Sequence, residues 1–228
     1  MPQPLLYSYK MTHDTGFAPN PFGSTLTLAT CKPGMRRVRQ PGEWIAGFTS
    51  EQLVKLGVGN ERLVYLMRIG EKLTFEQYFH DKRFREKQPV MRSRDRWRHV
   101  GDNIYQPLKA GAVKRNEFRL LRNPYHSADH AQTDLSGGFV LVADEFYYFG
   151  NNAIALPGAL RPEVPRGPAR YGIACRPDRA AKLVHYIQNK YSQGIHGDPF
   201  MSSDDGGCSA GSEGCHVEAA TCAVTSGC

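Results

Sequence analysis

Residues 62–70 read RLVYLMRIG. Leu63 to Met67 are apolar without interruption, and the run shows neither strict alternation nor a helical stripe. Four to eight such residues suit a strand covered on both sides. The stretch therefore predicts a central strand with packed layers above and below it, and a chain of 228 residues that is 40% hydrophobic can supply those layers.

Working outward, GEWIAGFTS (42–50) places Trp44, Ala46 and Phe48 on one face. LLYSYKM (5–11) places Leu5, Tyr7 and Tyr9 on one face and Leu6, Ser8 and Lys10 on the other. STLTLATCKP (24–33) and Phe139 to Ala143 also read as strands, the latter followed by the aromatic cluster Phe146 to Phe149. Helices are few. EQLVKLG (51–57) predicts a short one opened by Ser50 and closed by Gly57. LTFEQYFHDKRF (73–84) has Thr74 as N-cap with Gln77 three residues on. DRAAKLVHYIQNKYSQG (178–194) is the clearest, with Asp178 as cap, Val184, Ile187 and Tyr191 as its stripe and Gly194 as its end. The expected fold is α+β: a strand-rich mixed sheet or small barrel with peripheral helices and long loops. Residues 1–200 form one domain in this reading. Residues 201–228, rich in Gly, Ser and Cys, lack the bulk to fold alone and are expected to be a flexible tail.

The formal net charge is +7. The tail contributes Asp204, Asp205, Glu213 and Glu218 and no basic residue, so the body is more basic still. Residues 82–98 hold eight Lys or Arg against Glu86 and Asp95, and Pro89 breaks any helix there, which predicts a basic loop. Such a surface attracts polyanions, so nucleotide or DNA is the expected partner. No apolar run reaches ~18 residues, which excludes a membrane span. The N-terminus lacks a basic start followed by an apolar run, so the expected location is the cytoplasm, with reduced thiols.

Several stretches could carry chemistry. HDTGFAPNPF (13–22) sits between two strands and mixes His13 and Asp14 with Phe17, Asn20 and Phe22. Either the loop is packed down as structure, with Asp14-Thr15-Gly16 as a turn, or it lines a site where His13 and Asp14 face a ligand. Cys31 ends the second strand beside Lys32, Arg36 and Arg37, cations that would favour thiolate at a nucleophile or grip a phosphate. An inert strand-end cysteine is the alternative. VGDNIY (100–105) predicts a tight turn exposing Asp102 and Asn103. His126 and His130 are four apart without a third ligand at a convincing spacing. Arg92 and Arg94 in the basic run, and Tyr148 in the aromatic cluster, are candidates for phosphate and base contact. Cys208, Cys215, His216, Cys222 and Cys228 are candidate zinc ligands on the tail, although no pair has the two-residue gap of zinc fingers.

HDTGFAPNPFGSTLTLATCKPGMRR, GEWIAGFTS, VGDNIY, FYYFGNNAIALP and GIHGDPF together resemble the nucleotide modification associated domain family of the second type, over roughly residues 4–200. The resemblance implies a place in a DNA modification system, alongside its other proteins, and not a particular reaction. The positions matching its motifs are His13, Asp14, Phe17, Pro19, Asn20, Pro21, Phe22, Cys31, Lys32, Pro33, Gly101, Asp102, Phe149 and Gly150. The cysteine tail is no part of that pattern. GEWIAGFTS with FHDKRFREKQP is similar to stretches of PUA-like domains, barrel-like folds that include readers of modified bases. Two readings follow. One is an enzyme or enzyme component acting on a nucleotide or DNA base, with Asp14, His13, Cys31 and Asp102 as catalytic candidates. The other is a non-catalytic reader whose stacking cage is Phe17, Phe22, Trp44 and Tyr148.

Overall fold

The computed structural model describes residues 3–167 and 169–200. Its centre is a seven-stranded mixed sheet. In chain order the strands are β1 (Leu6–Met11), β2 (Thr27–Leu28), β3 (Trp44–Thr49), β4 (Leu63–Thr74), β7 (Phe139–Tyr148), β8 (Ile173–Ala174) and β9 (Gly194–Ile195). The spatial order is β2-β7-β4-β3-β1-β8, and β9 pairs with β7. The order has two ends, so the sheet is open and not a barrel. The outer edge of β7 is shared: β2 pairs with Leu141 and Val142, β9 with Tyr147 and Tyr148.

The run that opened the sequence lies in β4, flanked by β3 and β7. Tyr65, Met67 and Ile69 point to one core and Leu63 and Leu66 to the other. A register shift between Gly47 and Phe48, opposite Leu63 to Tyr65, puts Val64 with the first group. The strand continues past Gly70 to Thr74, where the expected capping box starts α3 (Phe75–His80): Gln77 N–H donates to Thr74 Oγ1, and Thr74 N–H donates to Gln77 Oε1.

β1 and β3 run parallel, so the chain between them must cross over. It leaves Met11, traverses one face of the sheet to place β2 on the far edge, and returns through α1 (Pro33–Val38). Leu26, Leu28 and Met35 of this crossover cover Tyr9, Met11, Ile45, Tyr65 and Met67. On the other face Ala180, Leu183, Val184 and Ile187 of α5 (Pro177–Lys190) cover Leu6, Trp44, Ala46, Phe48 and Leu66. A third cluster joins Phe17 of the crossover to Phe75, Tyr78, Phe84, Tyr105 and Phe118.

Several local expectations are corrected. α2 (Glu51–Val54) is capped by Ser50 as expected, but Lys55 in the left-handed region ends it, not Gly57. α5 begins at Pro177, so Asp178 sits in the first turn and is not the cap; the helix stops at Lys190, before Gly194. The basic run contains two 3-10 turns, Lys82–Lys87 and Arg96–Arg98, and buries Phe84 and Lys87. Residues 104–137, which lack a clear pattern, form a hairpin of β5 (Tyr105–Pro107) and β6 (Phe118–Leu120), then α4 (Ala131–Leu135). No helix among the described residues is long and apolar enough to cross a membrane.

Candidate functional site

The crossover loop is packed down and lines a polar core at the same time. Asp14 follows β1 and is 1% exposed. Tyr148 Oη, at the end of β7, donates to Asp14 Oδ1 at 2.6 Å, and the Phe200 amide lies 3.4 Å from Oδ2. Tyr65 Oη donates to Tyr9 Oη at 2.9 Å, and both phenols feel the Asp14 charge. Burial pushes the Asp14 carboxyl up to about 6, against the opposing pull of Tyr148 and the Phe200 and Gly16 amides. Burial also raises all three phenols, so they remain hydrogen-bond donors. A carboxyl that titrates near neutrality within a ring of neutral donors can hold or release a proton. His13, half-buried, lies beside it in sequence, with Nδ1 3.1 Å from Thr12 Oγ1.

Cys31 occupies a second wall. It and Lys32 both adopt left-handed backbone, φ 56° and 41°. That geometry is uncommon for residues with a Cβ, and side chains hold it on both sides. The Cys31 amide donates to Asp134 Oδ1 at 2.8 Å, and Arg36 Nε donates to the Cys31 carbonyl at 2.8 Å. Arg36, fully buried, also donates to the carbonyls of Phe139 and Asp134, and Gly137 leaves the space its guanidinium fills. Asp134 Oδ2 accepts from Tyr105 Oη at 2.9 Å and lies 3.1 Å from His126 Nε2, which is 2.9 Å from the same phenol. Burial opposes the Asp134 charge, but the His126 contact and Arg36 outweigh it and hold the carboxyl below its usual range. Cys31 lies within electrostatic reach of Tyr9, Arg36 and Tyr105. Lys32 Nζ sits 4.9 Å above the Tyr9 ring. Tyr9 is thus within electrostatic reach of both Cys31 and Asp14, and Cys31 is half-buried while Asp14 is closed off.

Asp102 is placed elsewhere. The expected exposed turn is a buried hub: Asp102 and Asn103 are 1% and 2% exposed. Asp102 accepts from Tyr78 Oη at 2.6 Å and Thr27 Oγ1 at 2.7 Å. Asn103 Nδ2 donates to the carbonyls of Tyr78 and Phe84. Lys87, whose burial pushes it down to about 8, donates to the Asn20 carbonyl and side-chain oxygen. Asn20 in turn donates to Gly16 and Val100 carbonyls. Asp102 and Asn20 therefore fasten the crossover loop to the basic segment.

The remaining candidates divide by exposure. Arg37, Arg92 and Arg94 are exposed and can meet phosphate, whereas Arg36 is spent on Asp134 and the Cys31 carbonyl. Of the expected cage, Phe17, Trp44 and Tyr148 lie in three different clusters of the core, with no open face for a base. Phe22 alone is on the surface, stacked on Trp97 at 4.2 Å and 21°. His126 and His130 do not share a helix; their rings are 5.3 Å apart across a 3-10 turn. Among the described residues no group of three His, Cys, Asp or Glu could hold a metal. The zinc candidates Cys208, Cys215, His216, Cys222 and Cys228 lie outside the described residues.

Two clefts open elsewhere. One of about 450 Å³ lies along α5, beside Tyr186 and Lys190. One of about 180 Å³ lies between Leu56, Arg62 and Phe200. The second ends on the residue whose amide meets Asp14. Tyr9, Tyr65, Tyr105, Asp134 and Lys87 are polar members of the site region that the sequence did not single out. Only the tyrosine alternation of β1 hinted at them.

No curated protein and no solved structure matches the chain. The model of the nucleotide modification associated domain 2 family matches residues 3–205, and the loop, Cys31 turn and buried hub all fall inside that match. The chain belongs to the nucleotide modification associated domain 2 family.

Proposed function

We propose that this protein is an enzyme component that acts on a nucleotide or a DNA base, with Cys31 as nucleophile and Asp14 as the proton-handling group. One observation carries the reading: the half-buried Cys31 is held in left-handed backbone by Asp134 and Arg36, and its neighbour Lys32 lies 4.9 Å over the Tyr9 ring. A thiol attacks an electron-poor centre of a base or of an activated group, and a carboxyl poised at about 6 gives or takes the proton. The Arg36–Asp134 clamp fixes the Cys31 backbone, and Tyr9, whose oxygen accepts from Tyr65, offers its own neutral O–H to charge that develops beside it. Arg37, Arg92 and Arg94 meet phosphate. Asp102 and Arg36 support this site and do not touch substrate.

Native mass spectrometry of the full chain tests the reading first. A nucleotide-sized adduct is expected, and after incubation with nucleotides or single-stranded DNA a covalent adduct maps to the Cys31 peptide. Cys31→Ser removes the adduct and Asp14→Asn slows its formation at least tenfold, while ligand binding changes less than about twofold. Undiminished product formation by both variants overturns it.

A second reading is favoured by the surface pair Phe22 and Trp97: a non-catalytic reader that binds a modified base. Binding that depends on the modification, with no product from any nucleotide or DNA, supports that reader.

A further inference from the structure

Trp97 lies outside the residues that the sequence singled out, and it holds an unusual position. It is half-buried at the end of the basic segment, with Phe22 of the crossover stacked on it at 4.2 Å. The guanidinium carbon of Arg96 lies 4.1 Å from its ring centre. Arg96 is otherwise held by a 3.6 Å ion pair to Asp198, with the two side chains 47% and 62% exposed. An ion pair so exposed is weak, so Arg96 is free to leave the ring. Arg92 and Arg94 are exposed in the same segment and Arg98 is half-buried.

We infer that Trp97, backed by Phe22, is a stacking platform for single-stranded DNA, on which one base takes the place of Arg96 while the arginines of 92–98 follow the phosphates. Two considerations favour a single strand over a duplex. A partly exposed indole needs a base whose face is free, and duplex bases have none. Residues 92–98 are an irregular loop with one 3-10 turn, which does not fit a major groove as a helix does. The platform is also joined to the candidate site: the Phe22 ring packs against Gly16, whose amide helps hold the Asp14 carboxylate. A Cβ at Gly16 would come within 2.6 Å of that ring, and its φ of +75° favours glycine as well. The inference deepens the proposed function, since it names the form in which the base would arrive.

Tryptophan fluorescence provides the test. The chain has two tryptophans, and Trp44 is only 4% exposed, so quenching reports Trp97. With a twelve-nucleotide oligothymidylate at 50 mM salt, strong quenching is expected, with affinity at least tenfold above that for a duplex of the same length. Trp97→Phe abolishes the quench but keeps most of the affinity measured by anisotropy, and Trp97→Leu loses about tenfold. Arg92→Ala with Arg94→Ala lowers the salt dependence, log K against log salt, by about one to two. Circular dichroism checks that each variant is folded; the wild-type comparison of single strand with duplex needs no variant. Equal affinity for duplex, or full affinity in Trp97→Leu, overturns the platform. A covalent adduct with mononucleotides but no single-strand binding overturns it too and leaves the proposed function standing. Single-strand binding without any product does the reverse.

Discussion

Tyr148 donates its phenolic proton to Asp14 at 2.6 Å, tying the last residue of β7 to the loop that leaves β1. The contact explains why an aromatic placed by sequence in a base-stacking cage is buried. Its ring belongs to the core, and its hydroxyl holds a carboxyl that burial alone would neutralise.

Asp14 should cost stability at neutral pH. Its carboxyl is raised from 3.8 to about 6, so the native state holds a proton that the unfolded chain has lost between those values. Stability is full below pH ~4 and falls as pH rises through about 6. The difference amounts to about 3 kcal/mol at pH 7.5 as an upper figure. Asp14→Asn, which keeps an acceptor for Tyr148, should be more stable than the wild type at pH 7.5, with the gain vanishing near pH 4. Urea melts at the two pH values measure it; a gain independent of pH would show that burial does not perturb Asp14.

The two described thiols should differ in reactivity. Cys31 is half-buried, whereas burial pushes Cys175 up to about 11. Iodoacetamide at pH 7.5, followed by peptide mapping, should label Cys31 at least tenfold faster than Cys175. Equal rates would argue against a nucleophilic Cys31.

Breaking the clamp should be expensive. Arg36→Met leaves the carbonyls of Cys31, Asp134 and Phe139 without their donor and removes the cation 3.8 Å from the buried Asp134 carboxylate, a loss of about 3–5 kcal/mol. A thermal melt reads the loss, and a drop under 1 kcal/mol would show that water replaces the guanidinium. Arg37→Ala, on the exposed side of α1, should change stability by less than about 0.5 kcal/mol.

Lys87→Met tests the buried hub. The ammonium satisfies both Asn20 oxygens and offsets the Asp102 charge, so its removal should destabilise by about 3 kcal/mol. A further Asp102→Asn change should recover part of the loss, since it removes the unbalanced carboxylate. A double-mutant cycle gives the coupling; strict additivity would mean the two groups do not interact.

The sheet was legible where local pattern and burial agree. Leu63 to Met67 announced a central strand, Trp44, Ala46 and Phe48 a shared face, and Thr74 with Gln77 a capping box, because each depends on neighbours a few residues away. The hairpin of β5 and β6 was not legible: three-residue strands carry too little periodicity, and Phe118 and Tyr105 are ordered by packing against Phe75. Asp14 and Cys31 stood out as an ionisable residue and a thiol beside strand ends. Their pairings did not, since Asp134 lies 103 residues from Cys31, and Tyr148, which stood out only as a base-stacking candidate, lies 134 from Asp14. Arg36 and Asp102 misled for one reason. Their charge suggested the surface, but Asp134 faces Arg36 and the hydroxyls of Tyr78 and Thr27 bind Asp102, partners that lie far along the chain.

The crossover between β1 and β3 spans most of the sheet, because β2 is hydrogen-bonded to the outer edge of β7 while β1 lies beside β8 at the opposite side. It works as a strap. Peeling β2 from β7 would pull on the length of chain that joins β1 to β3, so this edge is tied to strands inside the sheet. Amides of β1 and of the short β2 should exchange with solvent at matching, slow rates set by global opening, although two-residue edge strands elsewhere exchange by local fluctuation. The loop that bears Asp14 and Cys31 therefore shares the protection of the whole sheet.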